Sequence, residues 1–246
     1  MSSKDMPELL KKAKELGYTI FTKGGYNLNI IGVRSKIQKP NKFCDMIHII
    51  WRSEGLWRHE KSPFTTIPGA YWLLNPGRVE GTAIVKHDQQ YRSVWEIGRH
   101  RGKYPALVQT GNEITIWRDN TKDIEADYGG KEYTGFYGIN CHRSSSTRDL
   151  SEGNVDRWSA GCIVFGNPAH FNRFMSLCKM QIAAGSGSKF SFTLIHEDSL
   201  NRKPSEGKPA PKKPTKKKAP AKKKAPAKKK TATKKAATKS KGSKNV

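Results

Sequence analysis

The chain has 246 residues and carries 46 Lys and Arg against 21 Asp and Glu, a formal charge of +25. Eighteen Lys, one Arg and one Glu lie after Leu200, so the last 46 residues hold +18 of that charge and the first 200 only +7. No apolar run approaches the length that spans a bilayer, the opening ten residues lack the apolar core of a secretion signal, and four cysteines without a CxxC pair exclude the usual zinc spacings, so no metal and no cofactor is expected.

In chain order, Leu9, Leu10, Ala13 and Leu16 fall on one face of a short amphipathic helix over 7–16, with Asp5 as its cap and Gly17 as its stop. Strands follow. Residues 26–33 partly alternate, and 45–51 repeat an apolar pattern at Ile47, Ile49 and Trp51, with a polar stretch between them that turns at Pro40-Asn41. Ser62 to Pro76 is punctuated by Pro63, Pro68, Gly69 and Pro76 and is expected to run over the surface. Further strands are expected at 82–87, 93–97, 106–109 and 113–117, the third opening after Pro105, where no ladder donor is needed. Asp119 to Asp127 places oxygens at alternate positions like a calcium loop. Ile124 stands where the glycine belongs and Gly130 where the closing glutamate belongs, so an acidic surface turn is expected instead.

Two short apolar strands then frame the chemistry: Gly138 to Cys141 ahead of His142, and Cys162 to Phe165 twenty positions later. The polar loop between them, rich in serine and charge, is expected at the surface. Such a layout can face an imidazole towards a thiol, and a thiolate nucleophile uses that neighbour to lower its pKa. Gly161, with no Cβ, is expected to admit a substrate or an oxyanion beside the sulfur, and Ser159 to orient or polarise the site. Arg143 and Trp158 adjoin the pair and are the candidate substrate-binding residues. Cys44 and Cys178 read as packing residues, and so does Cys141, which alternation turns away from the face of His142. His48, His59, His87, His100, His170 and His196 show no ligand spacing. Beyond Phe165, Asn167 caps and Pro168 opens a second helix with Phe171, Phe174, Met175 and Cys178 at helical spacing, and 190–195 is the last strand. The expectation is a mainly β fold with two short helices, the first in a lead-in over 1–25 and the second within a domain over 26–200.

At these residues the chain resembles the L,D-transpeptidase (YkuD-like) catalytic domain, whose signature is a His, a loop of similar length and then Ser/Thr-x-Gly-Cys. His142, Ser159, Gly161 and Cys162 match it position by position. More closely, Tyr26 to Ile195 is similar to a phage- and virus-associated branch of that superfamily, on three pieces: Trp72-Leu73-Leu74-Asn75-Pro76, Gly102-Lys103-Tyr104-Pro105-Ala106-Leu107-Val108-Gln109 and Trp117-Arg118-Asp119-Asn120. The resemblance implies a β-sandwich-like fold with the Cys and His on adjoining strands. It also implies Cys162 as nucleophile, His142 as base, backbone N–H groups near Gly161 and Cys162 as oxyanion donors, and peptide amides of peptidoglycan stem peptides as substrate, the acyl group passing to an amine or to water. Two positions depart from the family: Ala160 stands where a His is frequent, and Val164 where an Arg or Asn is frequent.

After Asn201 the composition resembles that of linker-histone C-terminal tails, with Lys216, Lys222 and Lys228 each opening a Lys triplet at a period of six and Ala-Pro-Ala separating the three triplets. High charge without core-forming residues predicts a disordered tail over 201–246. Its lysines, Lys203 to Lys244, are expected to neutralise the phosphates of nucleic acid or another polyanion without reading bases. Two functions of different class follow: a cysteine acyltransferase or peptidase, and an inactive scaffold, for example a virion protein, whose tail binds nucleic acid. A papain-like peptidase fits worse, since its nucleophile precedes the His and opens a helix. Location is left open between virion and host cytoplasm, with no membrane expected.

Overall fold

Three apolar doublets, Ile30-Ile31, Ile49-Ile50 and Leu194-Ile195, dictate how this chain is layered. Neighbours in an extended strand point to opposite faces, so a strand carrying such a doublet must be covered on both sides. In the computed structural model, which describes residues 2–202, the members of each doublet part company. Ile30, Ile49 and Leu194 enter the main core, while Ile31, Ile50 and Ile195 lie with Leu10, Ala13, Tyr18 and Trp57 in a second cluster.

In chain order the elements are β1 (Ser2–Ser3), α1 (Glu8–Glu15), β2 (Asn29–Arg34), β3 (Asp45–Ser53), β4 (Leu56–Thr65), α2 (Ala70–Leu74), β5 (Thr82–Val85), β6 (Gln89–His100) and β7 (Tyr104–Gln109). There follow β8 (Ile114–Asp119), β9 (Tyr133–Gly135), β10 (Cys141–Arg143), β11 (Ile163–Phe165), α3 (Pro168–Ala183), β12 (Lys189–His196) and a 3-10 turn (Glu197–Asn201). The large sheet runs β4-β11-β10-β7-β6-β12-β2-β3, and β3 pairs back onto β4, so eight strands close into a barrel-like ring with β1 added beside β4. Its pairings are antiparallel except β10–β11 and β12–β2. Strands β5, β8 and β9 make a separate three-stranded sheet.

The mainly β expectation holds, but the principal sheet is a closed ring where two stacked sheets were expected. The difference comes from β4, a strand the sequence pattern does not reveal. Glu54 and Gly55 both have positive φ (53° and 75°), the geometry of a tight hairpin turn, and Ser53 faces Leu56 across it. From there β4 tracks β3 back to Asp45↔Phe64, and its last residues, Phe64 and Thr65, also pair with Phe165 and Val164 of β11. Pro63 is tolerated in so central a strand because it stands just before the β11 pairing begins. The punctuated stretch after it holds a third helix, α2, rather than plain surface chain.

The expected outer helices are present with altered ends. Helix α1 closes as foreseen on Gly17 (φ 80°), with Tyr18 N–H donating to Ala13 O at 3.0 Å and Gly17 N–H to Lys14 O at 2.9 Å. Its first residue follows Pro7, and no side chain caps it, so Asp5 does not serve. Helix α3 starts as expected, with Asn167 Oδ1 accepting from Ala169 and His170 N–H at 2.8 and 3.0 Å. The lead-in over 1–25 belongs to the body: Phe21 N–H donates to Asn29 Oδ1 at 2.7 Å, and α1 shares a core cluster with four barrel strands, β2, β3, β4 and β12. At the other end Leu200 packs into that cluster and Arg202 O accepts from Lys12 Nζ at 2.8 Å, so the body extends past residue 200. The disorder and the polyanion contacts expected of Lys203 to Lys244 lie outside the described residues.

Leu10 is 0 % exposed beneath the doublets. Replacing it with Ala leaves a cavity between helix and barrel, and the expected cost is about 2–5 kcal/mol. Urea unfolding of parent and variant measures it; an unchanged midpoint would mean α1 is not part of the cooperative body.

Candidate active site

Cys162 is delivered by a turn that Ser159 builds from within. The buried Ser159 hydroxyl donates to Cys162 O at 2.8 Å and accepts from Gly161 N–H at 3.2 Å, while its own carbonyl accepts from Gly69 N–H at 2.9 Å. Ser159 thus fixes the backbone under the cysteine; its hydroxyl is committed there and is not aimed at the thiol. Gly161 has φ 117°, and a Cβ on it would stand 2.5 Å from Ala83 O. The missing side chain therefore makes room for strand β5, where the sequence alone leads one to expect room for a substrate. The Gly161 N–H, expected as an oxyanion donor, is already used by Ser159.

His142 sits in the middle of β10, paired with Val164 of β11, one step on from Cys141↔Ile163. Cys141 and Ile163 face the main core, as alternation required, so His142 and Val164 share the opposite face. Cys162 lies on that face too, packing with Val164, Phe43 and Val155. Imidazole and thiol therefore lie on one face, His142 opposite Val164 and Cys162 two residues before it, just ahead of β11. Among the described residues the thiol's hydrogen bond goes to Gly138 O at 3.6 Å, and none joins it to His142.

The proton on His142 can be placed. Nδ1 lies 2.8 Å from Arg143 O, a carbonyl that only accepts, so Nδ1 carries the hydrogen and Nε2 keeps a free lone pair. Tyr104 braces the arrangement, its hydroxyl donating to the same carbonyl at 3.0 Å and standing 3.3 Å from Nδ1. The Arg143 guanidinium covers the Tyr104 ring at 4.1 Å, which brings that candidate to the rim of the site. Trp158, 40 % exposed, projects from the loop before the turn and makes no side-chain hydrogen bond or ring contact among the described residues. Ala160 is exposed at the tip.

Burial sets the electrostatics. The His142 ring, 3 % exposed, has its pKa pushed down to about 3, first by burial and then by His100 and the nearby arginines. Burial likewise pushes the Cys162 thiol up, against a pull from the Asn140 backbone and Arg101. At neutral pH the pair is thus thiol and imidazole, both uncharged, and not the ion pair that a pKa-lowering partner would make.

The loop between the pair is less superficial than its polarity suggested. Ser144, Ser145 and Val155 are buried, and Asn41 clamps its far end: Asn41 O accepts from Val155 N–H at 2.9 Å, and Asn41 Oδ1 from Asp156 and Ala70 N–H at 2.6 and 3.0 Å. Sequence reasoning missed Asn41, Tyr104 and His100 as site-building residues. Only the topology brings them there, and no local spacing marks them. Two surface cavities of about 440 Å³ each lie away from the pair, one lined by Tyr26, Trp51 and Arg173, the other by Lys36, Lys42 and Tyr128. Among the described residues no group of three or more His, Cys, Asp or Glu is placed to hold a metal ion. Comparison with protein-family models, with curated proteins and with solved structures gave no match.

A pH dependence follows from the buried imidazoles. His142 is held near 3 and His48 near 4, the latter by burial and then by His59, against about 6.5 when unfolded. The unfolded chain therefore takes up protons that the folded one refuses. Stability is full above pH 6.5 and falls as acid is added, by up to about 1.4 kcal/mol per pH unit for each ring, until pH reaches the folded values. Denaturant midpoints between pH 7 and 4 should show this slope, and His142→Gln should flatten it; parallel slopes would mean His142 is not held neutral.

Proposed function

We propose that the protein catalyses cysteine-dependent acyl transfer or hydrolysis on peptide amides through an L,D-transpeptidase-like catalytic domain, with Cys162 as nucleophile and His142 as base. The observation that carries this is the bare Nε2 of His142 on the same face as Cys162, its tautomer fixed by the Arg143 carbonyl. In the reaction Nε2 takes the Sγ proton as sulfur attacks the carbonyl carbon. The C–N bond then breaks and the departing amine takes the proton from Nε2, leaving a thioester. An incoming amine or water attacks that thioester and releases the thiol. Because both groups rest uncharged, proton transfer accompanies attack instead of preceding it. The signature formed by His142, Ser159, Gly161 and Cys162 supports peptidoglycan stem peptides as the substrate class, and Arg143 is the rim cation that meets their polar groups.

Incubation with a carbapenem or a stem-peptide donor, followed by intact-mass measurement, tests this. The parent should gain one acyl adduct, Cys162→Ala none, and His142→Gln should acylate about 10²- to 10⁴-fold more slowly. An adduct on the Ala variant would remove Cys162 as nucleophile.

A second reading is a scaffold without turnover. It is favoured by the thiol's upward shift and by the missing bond between Sγ and the imidazole. In that case the basic tail would carry the function by binding nucleic acid. Removing 203–246, and not Arg202, should leave the body's stability nearly unchanged and abolish most DNA affinity. For the full chain log K should fall by about 0.7–0.9 per phosphate contact per log unit of salt, equally for two unrelated duplexes. Equal binding by the shortened chain, or a strong preference for one duplex, would take the tail out of this role.

A further inference from the structure

His100 ends β6, and the hairpin to β7 turns at Arg101 and Gly102, both at positive φ (49° and 70°). That turn lays the His100 ring flat on His142, with centroids 3.9 Å apart and planes 23° from parallel. Asn140, two residues before His142, holds it there. The Asn140 Oδ1 accepts from Gln109 N–H at 3.0 Å, which fixes the amide's orientation, so Nδ2 donates to His100 Nδ1 at 3.3 Å. A ring nitrogen that accepts carries no proton, and protonating it would set two N–H groups against each other. Asn140 therefore keeps His100 uncharged. Burial and Arg101 act in the same direction.

This matters because of what else faces His142. Arg101 comes from the hairpin, Tyr104 from β7, Arg143 from its own strand and Cys162 from the turn before β11. Two of these are already cations. A third charge, stacked at 3.9 Å, would oppose the imidazolium that forms when Nε2 takes a proton, whereas the face of an uncharged ring attracts it.

We propose that His100 is a positioning residue for His142: clamped and kept neutral by Asn140, its ring holds the base in plane and steadies the imidazolium formed on proton transfer from Cys162. The inference rests on the acyl-transfer reading of Cys162 and His142. Three variants of the full chain separate its parts: His100→Phe keeps a neutral flat face, His100→Ala removes the face, and His100→Arg puts a charge on it. With a stem-peptide donor, His100→Ala should lower kcat by about three- to thirty-fold with little change in KM, and His100→Phe should recover most of that loss. His100→Arg should be slower than His100→Phe and lose activity first as pH falls.

A second readout does not need turnover. In ¹⁵N-histidine spectra His142 should show a single Nδ1–H tautomer in the parent and in His100→Phe, and a mixture in His100→Ala. The proposal is overturned if His100→Ala keeps both the parent's kcat and its single tautomer, or if His100→Arg is as active as His100→Phe. A mixed tautomer in His100→Ala, in a parent that forms no acyl adduct, would uphold the clamp on His142 and refute the acyl-transfer reading instead.

Discussion

The double pairing of β4 is the constraint on which the rest depends. Over its length β4 follows β3, and at its last two residues it also takes up β11. Without that second contact the sheet would have two open edges, each offering unpaired backbone groups. With it, β10 and β11 become neighbours inside a closed ring, and a parallel pair needs a long connection that leaves the sheet and returns. The serine-rich loop from Ser144 to the turn before Cys162 is that connection. Its polarity reflects the crossing, and its anchorage on Asn41 and Gly69 is what makes the return reproducible.

Much of this was legible in the order of residues, and the part that was not has a common cause. Strands β2, β3, β6, β7, β8 and β12 announce themselves by apolar repeats, and α1 and α3 by helical spacing and by Gly17 and Asn167. Strand β4 does not, because its middle, Arg58 to Lys61, turns polar side chains outward and its end carries Pro63. The Glu54-Gly55 turn was the available signal. Helix α2 is hidden for another reason: Gly69 must be glycine because a Cβ would sit 2.0 Å from Asp156 O, so what reads as loop punctuation is close packing.

The candidate site shows the same division. Cys162, His142, Ser159 and Gly161 are visible as a spacing, and the chain brings the first two to one face. What a spacing does not reveal is which atoms are already engaged. Ser159 and Gly161 shape the turn itself, one through its hydroxyl and the other through its bare Cα against Ala83. Tyr104 and His100 arrive from a hairpin some forty residues earlier. Side chains brought together only by topology leave no local trace.

The neutral state of the pair has a chemical consequence of its own. A thiolate reacts with any soft electrophile, and an exposed one is the form that peroxides and alkylating agents attack. Cys162 is instead held protonated by its surroundings, with its hydrogen directed to Gly138 O, while His142 keeps an unused lone pair. Neither group is reactive alone. If the proposed reaction holds, a bound amide would change the balance, because negative charge developing on its oxygen would be met by nearby donors as the sulfur gives up its proton. On the proposed acyl-transfer reading the chemistry would be gated by the substrate's own charge development, and the same burial that depresses His142 keeps the resting thiol protonated.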